Sequence, residues 1–291
     1  SKVEIEKILN SLKSITTKSF SILDKSLKDI DRLSSLHEKI MSSKIYDIDK
    51  IYWLIEDCKK FGTSSFASIA RCAFIANDFI NSFVDKGIFS KEEKLSFLSS
   101  ISTVVSELNN DLLKLNKKNF IEKYGHLRPS TYDINSVNYR DGYKFYFSEK
   151  KRTKEYKRNI FNFSENQIDK INKFIFLNNL DFSADELIKF IKKSISERER
   201  AKFYFSKNID SVFSLIKKFG RRANLNKKDL GFININSILD LYYNVDGTYP
   251  QHTLKKEINI NKKLFNHNSL IKLPKNIIND RDIFYHLEKS S

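Results

Sequence analysis

A chain of 291 residues with 40% hydrophobic content and 24 phenylalanines carries enough apolar surface for one large or two small cores, which excludes a disordered or fibrous chain. The formal net charge is +16, but the richness in Lys, Asn, Ile, Phe and Ser is that expected of an AT-rich genome and the lysines are interleaved with acids along most of the length, so nucleic acid is not expected as a partner. No run of about 18 apolar residues is available to span a bilayer and the first residues lack signal-peptide order, so a cytoplasmic protein without a membrane partner is expected. Cys58 and Cys72 are too few and too isolated for a disulfide framework or a zinc site, and no metal site is expected.

Taken in chain order, the elements are helices. Apolar residues at Ile5, Ile8, Leu12, Ile15, then Leu23, Leu27, Ile30 and Leu33 follow helical spacing. Tyr46 to Phe61 and Ser64 to Val84 predict two more helices, broken at Gly62 and Gly87. Ser90 with Glu93 is a capping box that opens a helix running to about Leu115. A loop region then extends to Asn162, and Glu165 to Asn178 reads as a short helix. Ser183-Ala-Asp-Glu186 starts a long helix ending near Gly220, and the tail from Asn244, with Pro250 and Pro274, reads as irregular. The expected fold is all-α with at most minor strands. One helical domain covers 1–291: N-terminal helices over 1–116, the loop region over 117–164, helices over 165–243 and a tail over 244–291.

The densest chemistry lies in Tyr124-Gly-His-Leu-Arg-Pro-Ser-Thr-Tyr-Asp133-Ile134. Gly125 supplies backbone freedom and Pro129 blocks a helix, so His126, Arg128, Thr131 and Asp133 are displayed from an ordered turn. His126 can serve as general acid or base or as a strut, and Asp133 can orient Arg128 or cap the turn. Thr63, Ser64 and Ser65 read as a helix start able to hold an anion, with Arg71 two turns on as a carboxylate clamp or a structural ion pair. Arg198 falls on the inward stripe of Leu187, Ile191, Phe205, Ile209 and Ile216, and Lys202 lies about 40° from it. A charge there is either one half of a buried pair, with Asp133 as candidate partner, or the basic wall of a phosphoryl site. The basic run Glu149 to Arg158, with six basic and two acidic residues, reads as solvated surface.

The Tyr-Gly-His-Leu-Arg-Pro-Ser-Thr-Tyr-Asp-Ile spelling resembles the central region of the phosphoenolpyruvate synthase-like dikinases, with Ser130 where that family usually has Gly. Gly62-Thr-Ser-Ser-Phe-Ala-Ser-Ile-Ala-Arg71, Ser196-Glu-Arg-Glu-Arg-Ala-Lys202, Phe219-Gly220, Asp229-Leu230 and Leu273-Pro274 extend the similarity in the same order. The resemblance implies a phosphotransferase in which ATP phosphorylates a histidine on a swivelling domain, which then delivers the phosphoryl group to an acceptor. The chain lacks the Ser/Thr-His-x-Ala setting of that histidine. Its seven glycines, never fewer than 11 positions apart, cannot form a phosphate-cradling loop. ATP and Mg2+ are therefore expected in a separate ATP-grasp domain, no cofactor in this chain, and the chain alone is expected to be inactive.

Known acceptors in that family are pyruvate, rifampin and L-glutamine. An all-helical chain disfavours pyruvate, whose site is a (β/α)₈ barrel. The spelling is most similar to synthases of capsule-sugar clusters, where L-glutamine kinase makes a phosphoramidate precursor, so L-glutamine is the expected acceptor. The implied roles are catalytic for His126, Arg128 and Arg198, and substrate-binding for Thr63, Arg71, Thr131, Asp133 and Lys202. A rifampin-type phosphotransferase domain and a non-catalytic helical scaffold or anion-binding module are the alternatives.

Overall fold

The computed structural model describes residues 2–148, 159–243, 251–272 and 286–287. The fold is all-α. Its helices are α1 (Lys2–Ser42), α2 (Asp47–Asp57), α3 (Ser64–Asp85), α4 (Lys91–Ser99), α5 (Val104–Lys114), α6 (Lys117–Tyr124), α7 (Tyr143–Tyr146), α8 (Glu165–Leu177), α9 (Ala184–Arg222), α10 (Ile235–Leu239) and α11 (Gln251–Asn268). The strands β1 (Ile271–Lys272) and β2 (His286–Leu287) form a two-residue antiparallel pairing. No described helix is long and apolar enough to cross a membrane. The basic run 149–158 and the prolines Pro250 and Pro274 lie outside the described residues.

Where the sequence suggests one domain, the backbone groups into two compact units. The first comprises Ser1–Lys44, Trp53–Thr131 and Ser136–Ser211; the second comprises Ile45–Tyr52, Tyr132–Asn135 and Val212–Ser291. In the first unit α1, α3, α4, α8 and α9 enclose the main core, with Ile30, Ile69, Ile171, Leu187 and Ala201 fully buried. The phenylalanine-rich composition becomes an edge-to-face cluster: Phe83 meets Phe89 and Phe174, and Phe97 meets Phe161 and Phe163, at centroid separations of 5.4–6.0 Å. The apolar stripe of α1 is buried from Leu23 to Leu33, whereas Ile5, Ile8, Leu12 and Ile15 are exposed.

Capping chemistry sets several boundaries as expected. Ser90 and Glu93 form the reciprocal capping box of α4, and Ser183 and Glu186 exchange the same bonds at the start of α9. The expected helix from Ser90 to Leu115 is instead two, because Thr103 and Ser106 make a second capping box that starts α5 with no Gly or Pro to announce it. The loop region begins later than expected, since Asn116 caps α6 and carries helix through Tyr124.

Gly62 does not break a helix. Between α2 and α3 the chain continues as a π-helical segment, Cys58–Thr63, so the backbone stays helical from Asp47 to Asp85. The glycine is there for closeness: a Cβ would sit 3.1 Å from Leu33 Cδ2, 3.2 Å from Phe205 Cβ and 3.3 Å from Cys58 Sγ. Gly220 likewise lies inside α9, where a Cβ would come within 2.7 Å of Leu230 Cδ2. Packing against neighbours overrides the low helix propensity in both places.

In the second unit Lys218 and Arg222 reach Asp47 at 2.8 and 3.2 Å, and Tyr52 stacks on Tyr242 at 4.0 Å. The tail is not wholly irregular. α11 forms within it, burying Leu254 and Ile258 one turn apart, while Asn261 Nδ2 donates to the Phe232 carbonyl at 2.7 Å. Its apolar pattern is weak because Ile260, Leu264 and Phe265 stay exposed, which hides the helix from periodicity.

Candidate functional site

The loop after α6 is closed on itself. Tyr139 N–H donates to the Leu127 carbonyl at 2.8 Å and Arg140 N–H to the Gly125 carbonyl at 3.0 Å, pinning the two limbs together. Gly125 is not used for backbone freedom, since its φ of −61° is ordinary; a Cβ there would lie 2.3 Å from the Ile121 carbonyl oxygen, so closeness excludes a side chain. Ser130 does not have a positive φ, so its position does not call for glycine, and its N–H donates to Ser136 Oγ at 3.3 Å.

One carboxylate anchors this loop to α9. Asp210 Oδ1 accepts from Arg128 Nη2 and, at 2.9 Å, from Asn138 Nδ2, while Arg140 Nη1 stands 3.6 Å from Oδ2. The side chains of Arg128 and Asp210 are 3% and 4% exposed, so each neutralises a charge that would otherwise be stranded in the interior. Arg128 is thus oriented by Asp210. Asp133 is exposed, and its Oδ1 accepts from Asn135 N–H at 2.8 Å as a turn cap.

His126 is a strut to the same helix. Its Nε2 lies 3.0 Å from the Phe203 carbonyl, and its ring meets Phe203 edge-on at 4.5 Å. Burial pushes its pKa down to about 4, with Lys207, Arg140 and His37 adding in the same direction and the Phe203 bond opposing them. The ring is therefore neutral near pH 7. Because a carbonyl only accepts, Nε2 carries the hydrogen and Nδ1 the lone pair. Tyr124, at the head of the loop, donates to Asp111 Oδ2 at 2.8 Å, and burial raises its phenol to about 12.

These contacts leave a cavity of about 410 Å³ in the first unit. The loop contributes His126, Arg128, Pro129 and Thr131; α5 contributes Val104, Leu108 and Asn109; and α9 contributes Glu199, Lys202, Phe203 and Ser206. The α9 residues follow i, i+3, i+4, i+7 and so form one face. Four of the residues read from the sequence, His126, Arg128, Thr131 and Lys202, thus line one cavity.

The other four do not line it. Thr63 lies at the end of the π-helical segment, its hydroxyl donating to the Lys59 carbonyl at 3.2 Å, so no helix start with free N–H groups exists to hold an anion. Arg71 is exposed and has no ion-pair partner among the described residues. Arg198 is half-buried on α9 between fully buried Ser194 and Ala201, about 100° from Glu199 on the helical wheel, and does not line the cavity. Asp133 itself belongs to the second unit.

Asp210, Asn138, Glu199 and Asn109 were missed. Only Glu199 carried a sequence signal, its three-residue spacing from Lys202. Asp210 is one of several acids on a charged helix, and its depth depends on what the loop brings to it. Cys58 and Cys72 are buried, and burial raises both thiols, Cys58 to about 11, so neither is a reactive thiolate. Among the described residues no cluster of His, Cys, Asp and Glu could hold a metal ion. No family model, curated protein or solved structure matches this chain.

Proposed function

We propose that this chain is the acceptor-binding domain of an ATP-dependent phosphotransferase of the dikinase type, and that its acceptor is L-glutamine. The observation that carries the reading is the convergence of His126, Arg128 and Thr131 from the loop with Lys202 from α9 on one cavity. Its volume, about 410 Å³, lies in the range of small-molecule sites and suits an amino acid better than a rifamycin macrocycle. In this reading a phosphohistidine on another domain meets the bound acceptor. The amide nitrogen forms a bond to phosphorus as the histidine–phosphorus bond breaks; the histidine nitrogen keeps that electron pair and the amide releases one proton. ATP and Mg2+ are assigned to a separate domain.

The roles within the site differ from those implied by the resemblance. With its guanidinium matched by Asp210, Arg128 positions the loop, and His126, a weak base bonded to Phe203, does the same. Contact with the acceptor then falls to Thr131 and the α9 side chains. Calorimetric titration of the purified chain with L-glutamine, L-glutamate, pyruvate and rifampin tests the reading. Saturable binding of L-glutamine in preference to the others supports it; absence of binding by all four removes it and leaves a scaffold.

A further inference from the structure

Resting on the acceptor reading above, we infer that Glu199 and Lys202 recognise the α-ammonium and α-carboxylate of a zwitterion, which makes the substrate class of this cavity a free α-amino acid. Neither side chain was needed to explain the fold. Neighbouring charges on α9 are held in ion pairs, Lys193 with Asp24, and Arg200 with Glu197 and Asp31. Within the cavity, Arg128 is matched by Asp210. Glu199 and Lys202 both line the cavity, and neither has an ion-pair partner among the described residues.

Their spacing gives the pair its meaning. Three residues apart on one helix, they stand side by side at a Cβ separation of about 5–6 Å, presenting one negative and one positive head to the same space. A simple anion such as pyruvate is attracted by Lys202 but repelled by Glu199, and a simple cation meets the reverse. Among single ligands, one carrying both charges complements both heads at once, so the pair selects by repulsion as well as attraction. The remaining wall is apolar through Val104, Leu108 and Phe203, with Asn109 and Thr131 as neutral polar groups. That combination suits an uncharged side chain ending in a polar group, such as a carboxamide.

The test pairs variants with ligands. L-Glutamine, 4-carbamoylbutanoate, which lacks the amino group, and 4-aminobutanamide, which lacks the carboxylate, are titrated into the wild-type chain, Glu199→Gln and Lys202→Met. L-Asparagine and L-serine are included. Each truncated ligand is expected to bind the wild type about 10- to 100-fold more weakly than L-glutamine, the range for loss of a charge-assisted hydrogen bond. Glu199→Gln weakens L-glutamine by a similar factor but strengthens 4-carbamoylbutanoate by removing its repulsion, and Lys202→Met weakens L-glutamine but strengthens 4-aminobutanamide for the same reason. Unchanged helix content by circular dichroism shows that the variants fold. Tight L-glutamine binding that is indifferent to both variants, or equal binding of the truncated ligands, overturns this inference while the acceptor reading stands. Binding of other amino acids but not L-glutamine does the reverse, keeping the zwitterion pair and removing glutamine. If no amino acid binds, both fall.

Discussion

Replacing Asp210 by alanine is expected to be the most damaging single change in the loop region. Its carboxylate is 4% exposed, accepts from Arg128 and Asn138, and faces Arg140 at 3.6 Å. Without it the Arg128 guanidinium, 3% exposed, has lost its countercharge, and a broken buried pair costs about 3–5 kcal/mol. The Asn138 amide loses its acceptor as well, at about 1–3 kcal/mol. Against a total stability of about 5–15 kcal/mol, that is a large share. Urea unfolding followed by far-UV circular dichroism measures the loss. Arg128→Met with Asp210→Leu removes both charges together, and the double variant should be more stable than Asp210→Ala by at least about 2 kcal/mol. Arg140 is 51% exposed, so Arg140→Ala should cost less than about 1 kcal/mol. A loss below about 1 kcal/mol for Asp210→Ala, or a double variant no better than it, would refute the idea that this carboxylate anchors the loop.

Stability should also depend on pH through two buried histidines. His37, bonded to Ser211 Oγ at 2.9 Å, and His126 are both pushed down to about 4 from 6.5, burial being the largest cause in each. The unfolded chain takes up these protons below 6.5 and the folded chain does not until about 4, so their contribution is complete above 6.5 and declines as pH falls through that window. The loss is on the order of 3 kcal/mol for each histidine. His126→Gln keeps a donor for the Phe203 carbonyl and should remove about half of this pH dependence in urea midpoints; an unaltered slope would contradict it. Gly62→Val should destabilise by about 1–3 kcal/mol, because the new methyls enter a gap bounded by Leu33, Phe205 and Cys58, whereas unchanged stability would mean the helices part freely. Arg71→Ala and Thr63→Ala, on positions outside the cavity, should leave acceptor affinity within about twofold of wild type in calorimetry. A larger loss for either would restore the clamp that the helix geometry removes.

Reading the chain alone went far for the helices and only part way for the site. Apolar spacing and capping boxes are local, so Ser90 with Glu93 and Ser183 with Glu186 marked helix starts from sequence. Gly62 misled because propensity describes an isolated helix, while this glycine answers to Leu33 and Phe205, which lie far from it in the chain. The same reason removed the anion site at Thr63: a helix start exists only if the preceding residues leave helical geometry, and the π-helical segment keeps them in it. The loop residues His126, Arg128 and Thr131 stood out by composition, and the 3.6-residue period placed Lys202 on the long helix.

What sequence could not supply was pairing across the fold. Arg128 meets Asp210 over 82 positions and His126 meets Phe203 over 77. Such partners are selected by burial, since a charge or a ring nitrogen removed from water takes whichever complementary group the packing delivers. The sequence by itself determined that the chain is helical and where the unusual loop lies. Tertiary structure alone decided that Arg128 and His126 hold the loop in place, and that Glu199 and Lys202 line the cavity while Arg71 does not.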